Sequence, residues 1–385
     1  MNVPRRGTPD FLLLFLTFSL VCFGLAMVFS ASSMTSATSP ITKGDPWFFT
    51  KKQAIAVVIG TIGMLFCMNI HYSKLKKLVL PAFLVILIML TMVPFGISTK
   101  GANSWFYIGS FGLQPSEFAK LGIILYLAAL ISNKGDKFRQ FKKGLLPALC
   151  IVGLVCFLIM LQPDLGSCMI VLFCAVIVIA VGGSNLKHVF LLGVSGAAIA
   201  AIGVSLFLLN SDPLEYDYRI HRLTGFLNPW DDPLGGGYQI IQSLYAFGHG
   251  GLVGAGFGQG IQKLHYLPEA HNDFIFAIIG EELGFIGIAI FLLIYLLFIW
   301  RGILISVRCT ETFGMLSGIG IMGMIAFQAV INIGGVTGTI PLTGVTLPFI
   351  SYGGTSMMIT LISMGVLLGI SREQSSTADK SAKKT

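Results

Sequence analysis

The chain has 385 residues, of which 55% are hydrophobic and 11% charged, with a formal net charge of +8 and a mean hydropathy of +0.84. Soluble chains carry about 25% charged residues, so a soluble globular protein is excluded; no compact basic domain exists to bind nucleic acid. The seven cysteines are odd in number and lie almost wholly inside apolar runs, which implies no disulfide framework.

The apolar blocks each approach the roughly 20 residues a membrane helix needs. They predict an all-α integral membrane protein with about ten spans: Phe11–Ser30, Gln53–Ile70, Leu78–Phe95, Ser116–Ile131, Leu145–Leu161, Gly166–Val181, His188–Leu209, Asp273–Trp300, Phe313–Ile333 and Phe349–Ile370. "MNVPRRGTPD" resembles the start of a signal peptide, but the run behind it is too long for one, so an uncleaved first helix is expected. The membrane domain covers 1–371, with a large loop over 210–272 between spans seven and eight. The polar tail 372–385 is expected to be disordered.

Placing the N-terminus in the cytoplasm puts 17 of the 25 lysines and arginines on inner segments and 7 on outer ones, with Lys120 inside a span. Both termini are then cytoplasmic and the large loop is outside. The outer triple Lys43, Lys51 and Lys52 is the one dissonant note.

The fourth span opens on "QPSEFAKLG". Glu117 and Lys120, three apart on a helix, either neutralise each other or line a polar cavity. Asp164 in "QPDLGS" reads as the cap of the sixth span. In the outer loop, Arg219 and Arg222 suit either a phosphate clamp or surface pairing with Glu215 and Asp217. The loop's glycines lack the G-K-[ST] ending and preceding strand of a phosphate loop, so they read as tight turns and close backbone contacts. "GGYQIIQSLYAFG" has helical spacing suited to the membrane surface.

The sharpest stretch is "LPEAHNDFIFAIIGEELGFIG", Leu267 to Gly287. Asp273 there is either the cap of the eighth helix or a catalytic base at the membrane surface. Glu281 and Glu282 lie deeper, where an ionised carboxylate is costly in lipid; at least one should face a polar cavity or a cation. His265, Glu269, His271 and Asp273 match no standard zinc spacing, whereas a loosely held Mg²⁺ or Mn²⁺ bridging a carboxylate and a substrate diphosphate suits the chemistry. "GVTGTIPLTGVTLPFISYGGTS", Gly335 to Ser356, carries no charge and reads as an outer re-entrant loop whose backbone must be protein-buried or line a cavity. Gln328 and Asn332 in the preceding span are expected to point the same way.

Together "QPSEFAKLG", "QPDLGS", "RLTGFLNPWDDPLGGGYQ", "LPEAHNDFIFAIIGEELGFIG" and "PLTGVTLPFISYGGTS" resemble, in order, the motifs of the SEDS family (shape, elongation, division and sporulation), the group of FtsW, RodA and SpoVE. The resemblance implies a peptidoglycan glycosyltransferase that polymerises lipid II at the outer membrane face. It places the essential acid on Asp273 and implies a class B penicillin-binding protein partner, with other divisome or wall-synthesis proteins. Asn272 replaces the Thr of many members. Thr343 stands where some FtsW proteins carry Lys, so a cation's role there is not carried over; the Thr form is similar to the division and sporulation members. Asp273 is then the expected general base, and Arg219, Arg222, Lys120, Glu117, His271, Glu282, Ser351 and Tyr352 the expected substrate-binding set. A lipid II flippase is the alternative, and would want buried charge through the inner half of several spans.

Overall fold

The computed structural model describes residues 7–93, 105–108, 111–162, 164–184, 187 and 226–382. The expected seventh span, Arg219 and Arg222 lie outside the described residues. Ten α-helices dominate: α1 (Phe11–Thr38), α2 (Phe48–Asn69), α3 (Tyr72–Met92), α4 (Pro115–Lys134), α5 (Leu146–Met160), α6 (Leu165–Val181), α7 (Tyr238–Gly250), α8 (Ile275–Val307), α9 (Thr312–Val336) and α10 (Gly354–Ala382). Among the described residues, eight helices are long and apolar enough to cross a membrane, and α6 falls just short at 17 residues. The all-α expectation needs one addition. Phe106–Ile108 (β1) and Phe111–Leu113 (β2) form an antiparallel hairpin leading into α4. Thr355 Oγ1 ties it to the start of α10, donating to Gly112 O at 3.0 Å and accepting from Gln114 N at 3.2 Å.

The helices alternate in direction. At one end Asp10 pairs with Arg301, Asp10 N donates to Ser371 Oγ at 3.1 Å, and an Arg372 guanidinium nitrogen sits 2.6 Å from Asn69 Oδ1. The start of α1 therefore meets the last turns of α8 and the Ser371–Arg372 turn of α10, which in turn touches the end of α2. The starts of α2, α4, α6, α8 and α10 gather at the opposite end. α4 is the central column, packed against α3, α6 and α9. α2 lies along α10, where Gly60, Gly365 and Gly369 bring the backbones together. The outward faces of α2 and α3 expose Ile62, Phe66, Leu80 and Ile88, apolar side chains suited to lipid.

Two irregular segments enter the bundle. Residues 337–353 carry no helix, and at their deepest point Phe349 takes φ +67° with its carbonyl against Gly24, midway along α1. This is the expected re-entrant arm. It moves the start of the last helix from Phe349 to Gly354, because Pro348 and the left-handed Phe349 both resist helical backbone. The second irregularity interrupts α8 at Gly284 (φ 67°, ψ −172°). The freed backbone groups are satisfied by the segment after α7: Ala255 N and Gly256 N donate to the carbonyls of Glu281 and Glu282 at 2.9 and 3.0 Å, while Phe285 N and Ile286 N donate to those of Gly251 and Leu252 at 2.9 and 3.1 Å. A break at such depth is tolerated only when protein satisfies it. α7 thus packs on α8, burying Ile240, Ile241 and Ala246, rather than lying alone at a membrane surface. α10 continues into the polar tail as far as Ala382.

Candidate active site

Five helix starts surround a cavity of about 540 Å³. Lys52 comes from the first turns of α2, Gln114, Glu117 and Lys120 from the start of α4, and Asp164 and Ser167 from α6. Asn272 and Asp273 precede α8, and Gly353, Gly354 and Ser356 open α10. Trp105 and the arm residues Gly344, Val345, Thr346 and Tyr352 complete most of the wall. Each helix start brings the positive end of its macrodipole to the cavity, so the backbone itself favours an anion here.

Asp273 is not the cap of α8. The helix begins two residues later, and its capping position is held by Phe274 without a side-chain bond. Asp273 instead lines the cavity, and the arm approaches its carboxyl so closely that a Cβ on Gly344 (φ +71°) would lie 3.5 Å from Asp273 Oδ2. The turn before α8 is built by Glu269, itself in a left-handed conformation (φ 54°), whose carbonyl accepts from Asn272 N at 2.9 Å and whose carboxylate bonds the Asn272 amide.

Glu117 and Lys120 fulfil both readings at once: their side chains pair at 2.8 Å and both line the cavity, with Lys120 only 1% exposed. Asp164 caps α6 through Ser167 N at 2.9 Å and also accepts from Gln114 Nε2 and Ser116 Oγ, each at 3.2 Å. Its place in the cavity wall was not foreseen. Nor was that of Lys52, whose ammonium rests 4.4 Å from the Phe48 ring centroid. Lys51 beside it pairs with Asp45 at 2.7 Å. The signal was the cluster of outer lysines, which runs against the usual inner bias of positive charge.

The remaining expected residues divide. Tyr352 lines the cavity. His271 is buried behind it, its ring 4.4 Å from Phe49 and 5.6 Å from Tyr352 by centroid, and its carbonyl accepts from Tyr352 N at 2.9 Å. Ser351 is also behind the wall: its hydroxyl accepts from Leu347 N at 2.8 Å and its carbonyl from Gln53 Nε2 at 3.1 Å. Buried Gln53 grips the arm a second time through Gly353 N at 3.1 Å.

Glu282 does not reach the cavity. It pairs with Lys263 at 2.6 Å and accepts from Ser30 Oγ at 2.6 Å and Gly258 N at 3.0 Å. Glu281 accepts from Ile261 N at 2.7 Å and lies 2.9 Å from His249 Nδ1. The two acids clasp the segment that repairs the helix break. The metal-like quartet also disperses: His265 Nε2 lies 2.9 Å from Thr38 Oγ1, and among the described residues no three of His, Cys, Asp and Glu form a ligand set.

The chain matches the FTSW_RODA_SPOVE family model, whose description is cell cycle protein, over residues 11–376. It is 45% identical over 376 residues to stage V sporulation protein E of Bacillus subtilis, covering 96% of this chain and 98% of that protein. It is 38% identical to the probable peptidoglycan glycosyltransferase FtsW of a Geobacter species, over 94% of this chain and 96% of that one. Among solved structures, a chain of a peptidoglycan synthase complex that coordinates polymerization and crosslinking superposes with TM-score 0.76 at 31% identity, covering 95% of this chain and 98% of that one. The rod shape determining protein RodA of Thermus thermophilus superposes with TM-score 0.66 at 29% identity, covering 95% and 97%. The motifs, the bundle and these relatives agree: the chain is a multi-pass membrane protein and belongs to the FtsW, RodA and SpoVE family of cell cycle proteins, the SEDS family.

Proposed function

We propose that this chain is a peptidoglycan glycosyltransferase that polymerises lipid II, the undecaprenyl-diphosphate-linked disaccharide peptide, at the outer face of the cytoplasmic membrane. The observation that carries this reading is the sharing of one cavity by Asp273, two lysines and five helix starts. A donor activated as a lipid diphosphate needs a site that tolerates anionic charge, and an acceptor hydroxyl needs a base.

In this reading Asp273 takes the proton of the acceptor sugar's 4-hydroxyl as that oxygen attacks C1 of the donor. The C1–O bond to the diphosphate breaks and its electron pair leaves with the diphosphate. An α-linked donor gives a β-linked glycan by inversion. The leaving group needs no acid if its charge is held; in this reading Lys52, Lys120 and the helix starts hold it, with Arg219 and Arg222 as further candidates. A Mg²⁺ or Mn²⁺ ion fits only as one carried largely by substrate, since the cavity offers separate carboxylates such as Asp164 and Asp273 rather than a ligand set. It would supply charge neutralisation at the diphosphate. Thr343 and the similarity to stage V sporulation protein E favour division or spore-cortex wall synthesis. A class B penicillin-binding protein transpeptidase is the proposed partner.

A flippase would need polar groups leading inward. Among the described residues the buried charges Glu117, Lys120, Lys263, Glu281 and Glu282 all lie in the cavity half of their helices or in the outer loop, which supports the enzyme. Glycan formation from labelled lipid II by the purified chain, alone and with its transpeptidase, tests the proposal. Polymer supports it, and none under either condition overturns it.

A further inference from the structure

The Asp273 carboxyl must hold one position although it sits on a non-helical turn beside an equally non-helical arm. Neither segment has a ladder of its own to fix it. Asn332, on the last turns of α9, reaches both. Its amide nitrogen donates to Asp273 O at 2.7 Å and to Val345 O at 2.8 Å. An amide nitrogen carries two hydrogens, and this one uses each on a different segment. Asn332 Oδ1 is buried without a hydrogen-bond partner, so the donors alone make the connection. The residue is 4% exposed and stands behind the cavity wall rather than in it.

Val345 follows Gly344, the residue whose backbone faces the Asp273 carboxyl. The bracket therefore fixes the interval between the carboxyl and the arm at the point where they approach. A second tie runs from Tyr352 N to His271 O at 2.9 Å, two residues before Asp273 and at the far end of the arm. Between them the two ties form a closed frame with α9 as its rigid side. Without the amide, the Asp273 and Val345 carbonyls both lose this donor, and the direct link from α9 to each segment goes with it.

We propose that Asn332 is a positioning residue for the transferase reaction, holding Asp273 against the Gly344–Val345 arm without touching substrate. This rests on Asp273 being the base. A base displaced by about 1 Å can cost on the order of a hundredfold in rate, whereas binding of the lipid diphosphate by Lys52, Lys120 and the helix starts does not depend on Asn332.

The test measures lipid II polymerisation by wild type, Asn332→Leu, Asn332→Gln and Asp273→Asn, with rates counted per molecule able to bind lipid II so that losses in folding are removed. The expected result is a fall in kcat of roughly ten- to a hundredfold for Asn332→Leu with KM nearly unchanged, and partial recovery in Asn332→Gln, which keeps the amide. An unchanged kcat in Asn332→Leu, or a raised KM with kcat intact, overturns the proposal. If Asn332→Leu yields no binding-competent protein, Asn332→Ala, which also removes the amide, carries the test, a wild-type kcat overturning the proposal and a lowered kcat with unchanged KM supporting it. Asp273→Asn separates the two claims: if it is inactive while Asn332→Leu has wild-type kcat, only the bracket fails. If Asp273→Asn keeps wild-type rate, the reading of Asp273 as base fails and the bracket with it.

Discussion

The Lys263 ammonium lies 2.6 Å from Glu282 Oε1 and 2.9 Å from Ser30 Oγ, joining the outer loop, the broken helix α8 and the first helix at one buried point. Both charged side chains are almost wholly buried, at 6% and 0% exposure. Removing one member leaves an unpaired buried charge, which costs about 3–5 kcal/mol. Lys263→Ala should therefore sharply lower the unfolding temperature in detergent, and Lys263→Met with Glu282→Leu should lower it much less. Equal losses in the single and double variants would contradict this account of the clasp.

Gly284 is the residue that lets α8 break. Its φ of +67° suits glycine, and a Cβ there would collide with Gly254 N in the segment that satisfies the break. Gly284→Ala should cost at least about 1–3 kcal/mol, as strained left-handed backbone does. Gly153 in α5 has nothing within 4 Å of its Cβ position, so Gly153→Ala should be neutral or slightly stabilising. Paired thermal melts of the two variants check the contrast.

Lys52 sits in the cavity and Lys51 pairs outside it with Asp45. Loss of a charge-assisted contact to a diphosphate should weaken lipid II binding about tenfold, or about 1.4 kcal/mol, in Lys52→Ala. Lys51→Ala should bind as wild type. Binding isotherms at two salt concentrations check this, with a smaller salt dependence for Lys52→Ala.

Asp10 caps α1 and pairs with Arg301. Burial alone would raise its carboxyl pKa, but the hydrogen bond from Arg301, the Leu13 N–H and the guanidinium charge outweigh it and hold the pKa below the ordinary 3.8. A lowered folded-state pKa gives stability that is complete above the ordinary value and fades as pH falls through the folded one. Asn also caps a helix, so Asp10→Asn loses only the charge pairing with Arg301 and should destabilise by no more than about 1 kcal/mol at neutral pH, and the difference from wild type should shrink only below roughly pH 4. Melting curves from neutral to acid pH read this directly.

Much of the architecture was legible because lipid imposes length and apolarity on each helix, and the motifs placed Asp273, Glu117 and Lys120 at helix starts. What escaped was longer in range. The break at Gly284 is set by the segment 250–256 repairing it, which no periodicity in α8 announces. Glu282 reads from the sequence as either structural or cavity-shaping, and the choice between them rests on its cation, Lys263, which lies 19 residues away in an irregular loop. Asp164 was legible as a cap, but its second role needed Gln114 and Ser116, which a different helix brings beside it. Lys52 was visible only as an excess of outer charge.

The central claim is that Asp273 is the base of a lipid II polymerase, and the most direct test compares wild type with Asp273→Asn on labelled lipid II in vesicles, with the transpeptidase present, after equal folding and equal lipid II binding are confirmed. The account predicts glycan polymer from wild type and none from Asp273→Asn. Equal polymer from both would remove Asp273 from that role, and transbilayer movement of lipid II by both with polymer from neither would replace the enzyme by a flippase.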